Sequence, residues 1–162
     1  MLFAGIIKTG EIYHSIDMPV IVLLAAMLPL GIALESSGGS ALIAQLLLVL
    51  ATDLPPLAVI AMLIAATMLL SNVINNAATA ILTAPIAIKL AQGLGLSADP
   101  FLMAVAIGAS CAFLTPIGHQ SNALVMAPGG YKFGDYWRMG LPLSILVIAT
   151  AAPAIAWIWP LQ

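Results

Sequence analysis

Between residues 54 and 88 the sequence carries no charged side chain, yet Ser71-Asn72-Val73-Ile74-Asn75-Asn76 interrupts that apolar run. Six residues with four polar side chains cannot face lipid, where each unsatisfied polar group costs several kcal/mol. The pattern reads as helix, polar break, helix. It recurs further on: an apolar run over residues 101–114 stops at Thr115-Pro116-Ile117-Gly118-His119-Gln120-Ser121-Asn122 and resumes over 123–127. A chain with two such breaks must bury them among its own helices.

The solvent those helices face follows from composition. Hydrophobic residues make up 63% and charged residues 6%, with mean hydropathy +1.17, whereas soluble domains carry about 25% charged residues. The reading is an all-α integral membrane protein, multi-pass, in the cell (inner) membrane, with the lipid bilayer as its partner. The apolar residues are spread along the whole chain, unlike a secretory signal followed by a polar domain. Four Lys plus Arg against six Asp plus Glu provide no basic field, so nucleic acid is discounted. Cys111 is the only cysteine, which excludes an intrachain disulfide and a Cys-based zinc site.

Residues 1–17 hold Lys8, Glu11, His14 and Asp17 among apolar neighbours and suit an interfacial segment or linker. The rest, 18–162, reads as one transmembrane transport domain. Residues 18–34 form an uncharged run long enough to cross a hydrocarbon layer of about 30 Å, ended by Glu35 and a Ser-Gly turn. Residues 41–51 are apolar but short. A hairpin over 54–90 has its tip at 71–76, and a broken helix covers 101–127. The last span covers 137–159, with Trp137 at one end and Trp157 and Trp159 at the other, one aromatic level per interface. Lys132 and Arg138 precede it and no basic residue follows, favouring a cytoplasmic start and an external C-terminus, with Lys89 then outside.

Each break supplies unwound carbonyl, amide and hydroxyl oxygens, which are hard ligands for a cation such as Na⁺. The helix that starts beyond it offers free N–H groups to an anion. Asn75 or Asn76 is a natural N-cap for a helix from Ala77, and Ser121 or Asn122 for a short helix from Ala123. Discontinuous membrane helices of this kind mark transporter sites. Such sites lie between two related repeats, and this chain is long enough for one, so it reads as a half or a fragment. His119 at membrane depth suits proton coupling or contact with the anion, against a neutral histidine bonded inside the bundle. Single Ser and Asn residues also serve as packing glue between helices, and the small run at 77–80, including Thr79, suits close helix contact. Pro85 reads as a kink and Pro116, beside a break, as a hinge. Asp135 with Arg138 reads as an interfacial pair.

Enzyme chemistry is discounted. Ser71, His119 and Asp135 make a triad only on paper, without a nucleophile elbow, and His14 and His119 lack the spacing and neighbours of a metal centre. No catalytic residue and no cofactor is expected.

MLLSNVINNAATAILTAPIAIKLA from Met68, with CAFLTPIGHQSNALVMAPGGYKFGDYWRMGLPL from Cys111, resembles the divalent anion/sodium symporter family and its citrate-transporter-like permeases, within the ion transporter superfamily. The resemblance covers most of the chain and corresponds to the C-terminal of two inverted repeats: a re-entrant hairpin with a Ser-Asn tip, a broken helix and the last span. It implies elevator-like, Na⁺-coupled symport of a dicarboxylate, citrate or an inorganic anion such as sulfate, in a homodimer, with an N-terminal repeat missing here. Ser71 and Asn72 match the family's Ser-Asn-Thr tip, where Val73 replaces Thr. Asn122 matches the Asn ending its Thr-Pro-Pro-Asn loop, where His119-Gln120-Ser121 stand in place of Thr-Pro-Pro. This variant is similar to permeases that carry cytoplasmic regulatory domains between their repeats, some of them sulfate transporters.

Together these readings place Ser71, Asn72, Asn75, Asn76, Thr79, His119, Ser121 and Asn122 at the substrate, and Ser71, Asn72, Thr115 and Asn122 at the coupling ion. The alternatives are an H⁺-coupled or other inorganic anion transporter, and a non-transporting membrane scaffold in which the same residues only join helices. Replacing Asn72 or Asn122 by Ala is expected to abolish uptake with little loss of folded protein in a transporter, and mainly to destabilise a scaffold.

Overall fold

The computed structural model describes residues 32–160 apart from 35, 52, 75 and 127, together with 25 and 29. The sequence readings at 1–17 and over most of 18–34 lie outside the described residues. Described residues form helices joined by turns, with no strand among them. In chain order these are α1 (Gly39–Ala51), α2 (Pro56–Ser71), α3 (Asn76–Leu94), α4 (Ala98–Ser110), α5 (Gln120–Met126) and α6 (Phe133–Ile158).

Local chemistry sets the helix ends. Extended Pro55 precedes Pro56 at the first turn of α2, where a missing N–H costs nothing. α3 ends on Gly95 at φ +69°, with the N–H of Leu96 returning to the Ala91 carbonyl at 3.0 Å; a left-handed residue is what this closure needs. Ser97 then caps α4, and Asp99 lies in its first turn, complementing the helix dipole. At α6, Asp135 Oδ2 accepts from the Lys132 backbone N–H at 2.8 Å. Asp135 is thus a cap rather than the expected partner of Arg138, because the N–H of Lys132, the N-cap residue three positions earlier, lies within its short reach.

α4 is the centre of the packing, lying against α2, α3 and α6, while α1 covers α3 and α6 also packs on α2. Phe101, Ile60, Ile64, Met68 and Leu90 fill the shared core. Small residues let α4 approach closely. A Cβ on Gly108 would stand 2.8 Å from Thr67 Cβ and 2.9 Å from the Ile64 carbonyl oxygen, so the α2–α4 crossing depends on its absence.

Outside this core the molecule is apolar. Leu42, Leu46 and Val49 on α1 and Met139, Ile145, Leu146 and Trp157 on α6 are exposed, a surface that water does not stabilise. Among the described residues α3 and α6 are long and apolar enough to cross a membrane, while α1, α2 and α4 are apolar but shorter. Pro85 lies within α3, and Pro142 and Pro153 lie within α6. The second break is longer than the sequence suggests. α4 stops at Ser110 because Cys111 leaves the helical region at φ −108°, ψ 57°, although the residues to 114 remain apolar.

Candidate functional site

α2 unwinds at its last residues rather than ending in a free loop. Asn72 N–H still reaches the Met68 carbonyl at 3.1 Å, and the N–H groups of Val73 and Ile74 share the Leu70 carbonyl at 3.0 Å. This folds the tip back toward α4. Ser71, 0% exposed, donates its hydroxyl to the Ala109 carbonyl at 2.6 Å. Asn76 opens α3 beside it. In the amide orientation that the surrounding acceptors dictate, its nitrogen lies 2.9 Å from Ser71 Oγ, 3.0 Å from the Ala109 oxygen and 3.2 Å from the Gly118 oxygen.

Asn72 joins this break to the second one. Its carboxamide oxygen accepts from the backbone N–H of Leu114 at 2.7 Å and of Thr115 at 3.1 Å, and its nitrogen donates to the Met68 carbonyl at 2.7 Å. Thr115 returns the contact, its hydroxyl donating to the Asn72 carbonyl at 2.7 Å and accepting from Gly118 N–H at 3.2 Å. An unwound segment leaves its amides without helical partners, and here the side chain of one break satisfies the backbone of the other. Gly118 makes the approach possible. A Cβ there would meet Ala112 Cβ at 2.6 Å, the Ser71 carbonyl oxygen at 2.9 Å and Asn72 Cα at 3.1 Å.

Asn122 holds the far side of the second break, donating to the carbonyls of Ala112 at 2.8 Å and Thr115 at 3.2 Å. α5 begins at Gln120, three residues before the expected start at Ala123. His119 is the reason: its Nδ1 accepts from Ser121 N–H at 3.1 Å, so the imidazole does the capping expected of Ser121 or Asn122. α6 locks this arrangement. The Tyr136 hydroxyl donates to the Asn122 carbonyl at 2.7 Å, and Gly140 lies flat against the Phe113 carbonyl.

Of the residues singled out in the sequence, Ser71, Asn72, Asn76, Thr115 and Asn122 converge. Asn75 lies outside the described residues. Thr79 is 0% exposed, and its hydroxyl has no partner among the described residues. His119 is half-buried, and Ser121 is exposed, with no bond to its hydroxyl among the described residues. The outer rim is aliphatic, with Val73 at 74% and Ile117 at 67% exposure. Sequence reasoning missed Gly118, Gly140 and Tyr136, and for Tyr136 the sequence holds no signal.

The chemistry available is neutral oxygen. No group of His, Cys, Asp and Glu among the described residues could hold a metal ion. The Ala109 carbonyl accepts from both Ser71 and Asn76, while the carbonyls of Ala112, Thr115 and Gly118 each accept one side-chain bond within the network and retain a second lone pair, a donor set suited to a hard monovalent cation and poor for a transition metal.

A family model described as citrate transporter matches residues 1–108. The chain belongs to the citrate transporter family. That membership makes it an integral, multi-pass membrane chain of a transport protein rather than an enzyme. The family resemblance drawn from the two motifs is therefore correct. Family relatives include an uncharacterized transporter of Synechocystis, 44% identical over 93% of this chain, and the uncharacterized transporter YfbS of Escherichia coli K12, 38% identical over 95%. Sodium/sulfate cotransporter 2 of Chlamydomonas reinhardtii is 31% identical over 93% of this chain, which covers 17% of that protein. The chain spans about a quarter of the length of the first two.

Proposed function

We infer that this chain is the C-terminal repeat of a secondary permease that moves a small anion across the cell (inner) membrane by symport with Na⁺. The observation that carries the reading is the bonding of the two breaks through Asn72 to Leu114 and Thr115, which brings neutral oxygen ligands and the start of α3 into one polar locus. Hard oxygens suit Na⁺, and the positive dipole end of a helix suits an anion without Lys or Arg. α2, the tip and α3 act as a re-entrant hairpin, and α4 with α5 as the broken helix. An N-terminal repeat related by inversion completes the site, and two copies form a homodimer. The likeness to the Chlamydomonas sodium/sulfate cotransporters favours Na⁺ and sulfate; membership of the citrate transporter family favours citrate.

The test is uptake of labelled sulfate, succinate and citrate into proteoliposomes holding the full-length protein, with and without a Na⁺ gradient. Uptake that follows the Na⁺ gradient for one of the three supports the reading and names the substrate class. Uptake that follows only a proton gradient replaces the coupling ion. Folded protein that moves none of them under either gradient returns the site to a purely structural role.

A further inference from the structure

Against the outer side of the second break, where Phe113 and Asn122 line it, a cavity of about 310 Å³ opens between α5, the turn after it and the first turns of α6. None of the tip residues lines it. Its polar end holds Tyr131, Asp135 and Tyr136, and its apolar end holds Met139 and Leu143. The two tyrosine rings stand edge to face, 6.3 Å apart and 68° between planes, so they form two walls of a corner. Asp135 sits in the same corner and spends one oxygen, Oδ2, on the Lys132 N–H. A carboxylate beside aromatic rings is the chemistry that recognises an alkylammonium group. Asp135 adds hydrogen-bond acceptance, which favours a primary ammonium, with its N–H donors, over a quaternary one.

The surroundings supply the rest of an amphiphile. Lys132 and Arg138 flank Asp135 at the start of α6, both exposed and both without an ion-pair partner among the described residues. They are placed for a phosphate, which Lys and Arg bind. From Met139 and Leu143 the exposed apolar face of α6 continues through Ile145 and Leu146, as an acyl chain needs. Acceptors for an ammonium, cations for a phosphate and an apolar face for hydrocarbon thus lie on the first turns of one helix. The cavity lies at the level of Trp137, an interfacial residue type.

We propose that the corner formed by Tyr131, Tyr136 and Asp135 is a binding site for the headgroup of a phosphatidylethanolamine-type lipid, whose phosphate meets Lys132 and Arg138 and whose chain lies along α6. The lipid is distinct from the transported solute, although the cavity borders the second break through Phe113 and Asn122 and Tyr136 is bonded to the Asn122 carbonyl.

Native mass spectrometry of the full-length protein, exchanged into detergent with equimolar phosphatidylethanolamine, phosphatidylcholine and phosphatidylglycerol, tests this directly. Phosphatidylethanolamine is expected to be retained over both others. Asp135→Asn keeps an oxygen for the Lys132 N–H and so keeps the cap, but is expected to reduce that retention roughly tenfold. Tyr131→Leu at an exposed position should reduce it as well, and decides the matter if Asp135→Asn does not fold. Equal retention of the three lipids, retention unchanged in both variants, or no retained lipid overturns the proposal; in the last case the rest of the protein closes the cavity.

Discussion

The carboxamide oxygen of Asn72 lies 2.7 Å from the backbone nitrogen of Leu114, on the opposite side of the polar locus. With the Thr115 N–H on the same oxygen, one side chain satisfies two amides of an unwound segment. Asn72→Ala strands both and removes the donor to Met68 as well. We expect a loss of about 2 to 4 kcal/mol, read as a lowered unfolding midpoint of the full-length protein in detergent. Unchanged unfolding would show that water replaces the carboxamide. The substitution therefore does not separate a transporter from a scaffold, as the sequence suggested it would, because Asn72 is a strut under either reading.

Thr79 and Ser144 separate them. Both hydroxyls are buried without a partner among the described residues, so Thr79→Val and Ser144→Ala each remove an unsatisfied group and should leave stability unchanged or raise it by up to about 1 kcal/mol. Only Thr79 lies in the first turn of α3. Thr79→Val is expected to raise the half-saturating concentration for uptake several-fold, while Ser144→Ala leaves it unchanged. Equal kinetics in the two variants would remove Thr79 from the site.

Three glycines make a graded test of close approach. Gly118→Ala places a methyl against Ala112 and the Ser71 carbonyl, and Gly140→Ala places one against the Phe113 carbonyl. Each should cost about 1 to 3 kcal/mol of overpacking and abolish uptake by parting the breaks or displacing α6. Gly134 has nothing near its Cβ direction, and Gly134→Ala in the first turn of α6 should be neutral or slightly stabilising. Thermal unfolding of the three variants side by side checks the order.

Tyr136→Phe removes one hydroxyl and nothing else. Its bond to the Asn122 carbonyl is worth about 1 kcal/mol in a typical setting. The expected outcome is a stability loss of that size with a larger fractional fall in uptake, since Asn122 also holds the Ala112 and Thr115 carbonyls. A stability loss with unaltered uptake would confine Tyr136 to packing.

Much of the architecture was legible because lipid is an intolerant solvent. Ser71 to Asn76 and Thr115 to Asn122 interrupt apolar runs, and no membrane helix carries such segments without a reason. What the sequence could not convey is which group answers which. Asn72 and Leu114 are partners only because α2 and α4 pack side by side, and that crossing rests on Gly108 against Thr67, a contact with no periodic signature. The helix ends were read less well where side chains competed for backbone groups. His119 has no strong capping preference in isolation, yet its Nδ1 caps α5. Asp135, which pairs naturally with Arg138 on paper, turns instead to the nearer Lys132 N–H.

The aliphatic rim, Val73 and Ile117 around Ser71 and Asn72, has a further consequence. The polar groups beneath it have already lost their conformational freedom during folding, because Ser71 is held by a bond to the end of α4 and Asn72 by bonds to the second break. A solute arriving at this surface has little ordering entropy left to overcome at those positions. Selectivity would then reside in the shape and wetting of the rim, where one methyl group more or less decides which solutes shed their water there.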